Sequence, residues 1–507
     1  MLGKLLDFAQ EGTFTDPPST SSIVLPNFTA TATPQQPEAE AEPKPTKSKS
    51  NDRSDLDIDQ VEEALDQIAK MFDTVHRGFG TPKFPNPARL SFLLRVSQFP
   101  KAVRHVVGDE ETENATRMGL STLRRIRDGG LRDHVGAGFM RFSVTRDWSM
   151  PHFEKMVGEN ALLLGVYLDA WLATSGPNLQ DPERLKATDE FADVVFELGD
   201  YLTDPDIWKE QTGVAGEGGV SGGRPFVTSE AADSLHRKGD RNSMREGAYY
   251  LWTRREFDDI VGGDCADQQH ASLVAAAYWN VRENGNVPRD EDPHDEFINQ
   301  NVLHVTKDVQ ELSKQFGIPA SEVKRIVTEA KEKLRLHREK ERARPVRDEK
   351  VIGYVNGMVI SALARTGAAI RKVDPERSGK YLAAAKEAAE FVRDKLWVDD
   401  GRGEGKKVLR RFFFEKPSKT AAFADDYAFL IEGALDLFEA DLELEWLEWA
   451  RDLQGKNNPH LPFPFFFSTK VLRDMDGKPL CQGNVTRGQT CFGSHVLPTT
   501  SPSRSHH

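Results

Sequence analysis

A chain of 507 residues with a formal charge of −13 and a pI of about 5.6 is too acidic to read as a nucleic-acid binder, and no window reaches the roughly 20 consecutive apolar residues of a membrane span. Met1 to Phe14 holds two acids and no arginine, which matches neither a secretory nor a transit segment. The three cysteines, Cys265, Cys481 and Cys491, form no CxxC, so a reducing, cytoplasmic setting without a redox dithiol, metal site or other cofactor is the expectation.

In chain order, Thr13 to Asp55 is rich in Pro, Ser, Thr, Ala and Glu, so residues 1–55 read as a disordered linker. Apolar residues at helical spacing then predict helices over about 56–75, 87–98, 111–127, 152–174 and 186–202. Between Gly216 and Trp252, Gly-rich turns around Gly-Ala-Tyr-Tyr-Leu-Trp predict two short strands, a small β-hairpin insertion. Residues 318–345 alternate Lys and Arg with Glu and read as a solvated helix face. Four more amphipathic helices follow at about 351–369, 375–397, 421–439 and 443–454. Phe463 to Phe467 is strongly apolar, whereas 468–507 has no periodicity and reads as a disordered tail.

The densest chemistry lies in Gly129 to Ala161, where Asp133, His134, Arg141, Asp147, Trp148, His152, Glu154, Lys155 and Glu159 lead from a Gly-rich loop onto a predicted helix. Pro151 suits the first position of that helix, and Glu154 its first turn. His152 would then sit at a helix N-terminus with Lys155 one turn on, an environment that disfavours imidazolium and predicts a neutral, proton-exchanging histidine. Gly136 and Gly138 would let the backbone approach a ligand.

These motifs converge. Gly78-Phe79-Gly80-Thr81-Pro82-Lys83-Phe84-Pro85, the Gly129 to Ala161 block, Glu246-Gly247-Ala248-Tyr249-Tyr250-Leu251-Trp252, Gly285-Asn286-Val287, Asp292-Pro293-His294-Asp295-Glu296-Phe297, Asn301-Val302-Leu303, Arg347-Asp348-Glu349-Lys350, Asn356-Gly357 and Asp425-Asp426-Tyr427-Ala428-Phe429 occur in order. Over roughly residues 56–460 the chain resembles the spermatogenesis-associated protein 20 family, whose members join a thioredoxin-like domain to a six-hairpin glycosidase-like toroid. The resemblance implies an all-α (α/α)6 toroid over residues 56–467, incomplete at its C-terminus with about nine of twelve helices, and without the thioredoxin-like part, whose place would make it a site for a protein partner. Two family positions differ: Ser229-Glu230-Ala231-Ala232-Asp233-Ser234 carries one carboxylate fewer, and Tyr354 replaces a tryptophan.

Two classes of function fit these residues. The first is carbohydrate chemistry on a small-molecule sugar: glycoside hydrolysis, which needs two carboxylates roughly 5 to 9.5 Å apart, or epimerisation, which needs an acid–base pair beside a carbonyl. The catalytic candidates are His152, Asp133, Glu154, His294, Asp425 and Asp426, with Glu230, Asp348 and His134 as further acids and bases. The substrate-binding candidates are Arg141, Trp148, Lys155, Tyr250, Trp252, Asn356 and Tyr427. The second class is a non-catalytic binding or scaffold module. It is favoured if Asp425 and Asp426 only cap a helix, Asp133 only ties the glycine loop, His294 only makes a turn, and Trp148 and Trp252 only fill a core.

Overall fold

The computed structural model describes residues 59–175, 190–209, 223–236, 239, 243–262, 266–292, 295–399, 401 and 407–455. The expected linker, the expected tail, Phe463–Phe467, His294 and all three cysteines lie outside the described residues. Fourteen α-helices occupy the described part. They are α1 (Asp59–Met71), α2 (Pro87–Arg95), α3 (Lys101–Val107), α4 (Asp109–Asp128), α5 (Val157–Ser175), α6 (Ala192–Leu202) and α7 (Arg254–Gly262). Then follow α8 (Ala266–Tyr278), α9 (Val309–Phe316), α10 (Ala320–Glu341), α11 (Gly353–Ile370), α12 (Pro375–Lys395), α13 (Ala424–Asp441) and α14 (Leu444–Gln454).

Four pairs form helical hairpins: α2 with α4, α5 with α6, α11 with α12, and α13 with α14. The first helix of each pair packs on the first helix of the next, so α2, α5, α11 and α13 line up in one layer with their partners behind them. This is the all-α hairpin repeat of an (α/α)6 toroid, with four hairpins in series among the described residues. The layer is tight where side chains are smallest. A Cβ on Gly357 would lie 2.5 Å from the Phe429 backbone, and one on Gly433 2.9 Å from the Gly357 carbonyl, so the two glycines let α11 and α13 touch.

Helices α7 to α10 form a second apolar cluster around Trp252, Phe257, Trp279, Leu312, Val323 and Leu334, inserted between the second and third hairpins. The charged run is helix α10, and Arg325 and Arg335 on it do pair with Glu322, Glu329, Glu332 and Glu339 in solvent. One face, however, is buried, and Arg338 with it.

Where a helix is predicted from 152, α5 begins only at Val157. The preceding residues are extended: Pro151–His152 pairs with Phe142–Ser143, and Lys155–Met156 with Ser229–Glu230. The Arg141 amide donates to the Glu154 carbonyl and the Val157 amide to the Thr228 carbonyl, so groups that a helix would have used are taken by partners distant in sequence. Ser229–Glu230 also pairs with Arg347–Asp348, and a second three-stranded sheet joins Val351–Ile352, Phe412–Phe414 and Lys416–Pro417. Asp233–Leu235 and Met244–Glu246 form the expected hairpin. These small sheets gather at the N-terminal ends of α5, α11 and α13.

Candidate functional site

Extended backbone sends successive side chains to opposite sides. From Pro151 to Met156 burial alternates strictly, so Phe153 and Lys155 point inward while His152 and Glu154 point to a half-open face. The helical face shared by His152, Lys155 and Glu159 therefore does not exist, and His152 owes nothing to a helix dipole.

On the half-open side, the His152 ring lies flat on Phe142, centroids 5.2 Å apart, and Phe142 lies on Phe84 at 4.8 Å. His152 Nδ1 is 2.8 Å from Glu246 Oε1, and its Nε2 is 3.9 Å from Glu154 Oε2. Arg141 donates to Glu154 at 3.1 Å and reaches Glu159 at 3.5 Å. Burial, reinforced by the charge of Glu154 but opposed by Arg141, pushes the Glu159 carboxyl up to about 7. Glu159, Tyr354 and Asp425 each stand in the first turn of neighbouring helices α5, α11 and α13. Burial raises the Tyr354 hydroxyl, with Arg411 opposing and Asp425, Asp426 and Glu159 adding, so these groups lie within electrostatic reach of one another. Arg411 sits over the exposed Phe423 ring at 4.4 Å.

On the inward side, Asp133 accepts from Arg338 at 2.8 and 3.1 Å and from Lys155 at 2.9 Å, as well as from the Val135 and Gly136 amides. Burial alone would raise this carboxyl, but Arg338 and Lys155 hold it well below the usual range. Lys155 Nζ sits over the rings of Tyr250 and Tyr201, and Arg338 over Tyr249. Glu230, paired in register with Lys155, accepts from the Tyr201 hydroxyl at 2.9 Å and from Arg344 at 2.6 Å. A Cβ on Gly136 would sit 2.2 Å from the Arg338 guanidinium, and Gly138, at φ 83°, lies under the Tyr201 ring. The loop glycines thus admit Arg338 and Tyr201, not a ligand.

The remaining sequence candidates are placed as follows. Asp426 is fully buried; it accepts from the Tyr354 and Phe423 amides and from Arg411, tying α13 to α11. Asn356 clamps the Phe226 amide and carbonyl, as Asn160 on α5 clamps those of Phe139. Trp148 is buried with its ring N–H on the His76 carbonyl, and Trp252 is buried beneath Arg342, 3.8 Å from its ring. The Tyr427 hydroxyl accepts from the Leu409 amide at 3.4 Å. Tyr250 is buried against Phe153, its hydroxyl without a hydrogen-bond partner among the described residues. His134 bonds the Gly129 carbonyl, and burial with the Arg132 charge brings it down to about 3. Asp348 pairs with Lys350. His152, Glu154 and Arg141 are thus brought together, whereas Asp425 stands beside Arg411 at 3.7 Å. Asp133 and Lys155 are joined on the inward side.

Sequence reading missed Arg338 and Arg344, hidden in a run of surface-like charges, and the pairing of Glu246 with His152 across 94 residues. The tyrosine–glutamate motif that contains Glu246 was visible, but its partner was not. Among the described residues no group of three or more His, Cys, Asp or Glu side chains is placed to hold a metal, and no helix is long and apolar enough to cross a membrane.

No family model matches the chain. It is 31% identical over 401 residues to human spermatogenesis-associated protein 20, an alignment covering 76% of this chain and 45% of that protein. To the mouse protein of the same name it is 31% identical over 403 residues, covering 76% and 45%. An uncharacterised protein of Caenorhabditis elegans is 31% identical over 411 residues, covering 78% and 50%. The chain thus spans about half the length of the curated relatives it matches. Among solved structures, a sugar epimerase from a ruminal bacterium is similar at a TM-score of 0.29 and 13% identity, covering 78% of this chain and 85% of that one. A GH76 α-mannanase of Bacteroides thetaiotaomicron is similar at a TM-score of 0.28 and 11% identity, covering 85% and 90%. These structural likenesses are remote; the sequence relationship is not, and over about three quarters of its length the chain is a homologue of spermatogenesis-associated protein 20.

Proposed function

We propose that this protein is a carbohydrate-related, glycosidase-like protein whose half-open His152 cluster exchanges protons with a sugar. The observation that carries the reading is the Glu246 carboxylate 2.8 Å from His152 Nδ1, on a face where Arg141, Glu154 and Glu159 also stand. Glu246 accepts the Nδ1 proton and so keeps Nε2 as the base. Arg141 offers a charge to an oxyanion that develops as a proton leaves the carbon beside a carbonyl. Glu159, titrating near 7, returns a proton to that carbon or, in a hydrolytic variant, gives one to a leaving oxygen. Epimerisation is the version favoured, because a histidine base stands at the centre of the cluster.

The full chain incubated with glucose, mannose or cellobiose in deuterated water tests this. Expected is deuterium uptake at the carbon beside the carbonyl, lost in His152→Ala. New reducing ends without deuterium uptake would replace epimerisation by hydrolysis. Neither signal would favour the scaffold module, a reading supported by the internal use of Asp133, Asp426, Asn356, Trp148 and Trp252 as ties and core.

A further inference from the structure

A cavity of about 630 Å³ is walled by residues 344–350 with Asp206 and Phe414, none of them a member of the His152 cluster. Its size falls in the usual range of small-molecule sites. Three cations, Arg344, Arg347 and Lys350, and three carboxylates, Asp206, Asp348 and Glu349, face it. They are already paired: Asp206 takes both Arg344 and Arg347, Lys350 holds Asp348 at 3.2 Å, and Lys209 holds Glu349 at 2.7 Å. An ion of either sign entering here meets as many like charges as unlike ones and must break a pair to gain a partner. A neutral ligand meets a different wall. Each carboxylate keeps acceptor positions beyond those its cation uses, and Lys350, about half exposed, keeps N–H donors. Beside them the Phe414 ring is 52% exposed and Val346 67%, an apolar surface that nothing in the described protein covers. Arg344 also donates to Glu230, which anchors this wall to the buried network and keeps it in place.

We propose that this cavity is a second ligand site, built for a neutral polyhydroxylated molecule with an apolar C–H face, the chemistry of an uncharged sugar ring. Hydroxyls bridge the paired ions and the C–H face lies on Phe414. The site stands independently of the His152 reading. Saturation-transfer NMR on the full chain, with glucose, mannose and cellobiose as neutral probes and glucuronate and glucosamine as charged ones, tests it. Expected is transfer to ring C–H protons of at least one neutral probe that persists in His152→Ala, with affinity about three- to tenfold weaker in Phe414→Ala, the effect of losing an aromatic face. Both charged probes should bind more weakly than glucose. The proposal is overturned if no neutral probe binds, if Phe414→Ala leaves affinity unchanged, if transfer disappears in His152→Ala alone, or if a charged probe binds more tightly than glucose. Phe414→Leu, which keeps the apolar bulk without the ring, replaces Phe414→Ala should the smaller side chain prevent folding.

Discussion

Glu154 and Lys155 are neighbours in the chain, yet they belong to two differently built groups of charge. Lys155 is 4% exposed and locked between Asp133 and the Ala137 carbonyl, under the rings of Tyr201 and Tyr250. Glu154 is 25% exposed and shares Arg141 with Glu159. They are successive residues of extended backbone, and its alternation sends one charge into a closed network and the other to an open face. The closed group has its charges met by fixed partners, whereas the open group keeps a histidine nitrogen, a half-exposed arginine and an acid near neutrality. The first arrangement specifies structure; the second leaves capacity for chemistry.

The largest effect expected is on the closed side. Asp133→Ala leaves Lys155 and Arg338 buried without their counter-charge, which costs about 3–5 kcal/mol of stability. Guanidinium unfolding of the full chain reads this, and a loss under about 1 kcal/mol would show that the network is wetter than its burial indicates. Replacing Asp133, Lys155 and Arg338 together by Leu, Met and Met should return much of the loss, since an apolar trio of similar volume carries no desolvation cost.

Next in size are the twin clamps. Asn160 and Asn356 each stand at the fourth residue of an inner helix and each satisfies both backbone groups of a phenylalanine earlier in the chain, Phe139 and Phe226. Asn160→Ala and Asn356→Ala should each cost about 1–3 kcal/mol by leaving buried amide groups unpaired, and by similar amounts. Markedly unequal losses in the same unfolding assay would mean that the two hairpins are not equivalent in energy, though they match in geometry.

The two groups also respond to pH with opposite sign. Asp133 is more acidic folded than unfolded, so its contribution is present above the ordinary carboxylate range and is lost as pH falls through its lowered value. Glu159 is less acidic folded, near 7 against an ordinary 4.5, so the folded protein holds the extra proton between those values. The contribution of Glu159 to stability should therefore decline as pH rises from about 4.5 to 7, with Asp436, also raised to about 7, adding to the decline and His134, brought down to about 3, opposing it below 6.5. Glu159→Gln should flatten that decline by part of one proton and leave the acid limb unchanged. Identical slopes for variant and parent would sink the assignment of Glu159 as the open face's acid.

The hairpin helices were legible because long apolar stripes repeat along them: 353–370 and 375–395 each lie within two residues of their expected bounds. Helices α7 and α9 were missed because, although amphipathic, they span only nine and eight residues, and α8 because its apolar residues are spread round the helix without a clear stripe. The start of α5 was misplaced because Phe153, Met156 and Val157 suit a helix locally, while the strand partners that override it, 142–143 nearby and 229–230 far along the chain, are set by tertiary pairing. At the site, residue types were readable and pairings were not. Asp133, His152 and Glu154 announce acid–base capacity, but that Asp133 is neutralised by Arg338, 205 residues away, is a property of topology.

Helix α10 sharpens the same contrast within one element and supplies the smallest effect. Arg335 and Arg338 lie three residues apart in a run of alternating charge. Arg335 holds Glu332 and Glu339 in solvent, where side-chain entropy and screening cancel most of the attraction, so Arg335→Ala should change stability by less than about 1 kcal/mol and less still in high salt. Arg338→Ala removes a bidentate partner from a buried carboxylate and should cost several times as much, about 3–5 kcal/mol, with little salt dependence. Equal losses for the two arginines would place Asp133 within reach of water. A large gap that salt does not close would establish that a sequence pattern of surface charge conceals a buried ion pair.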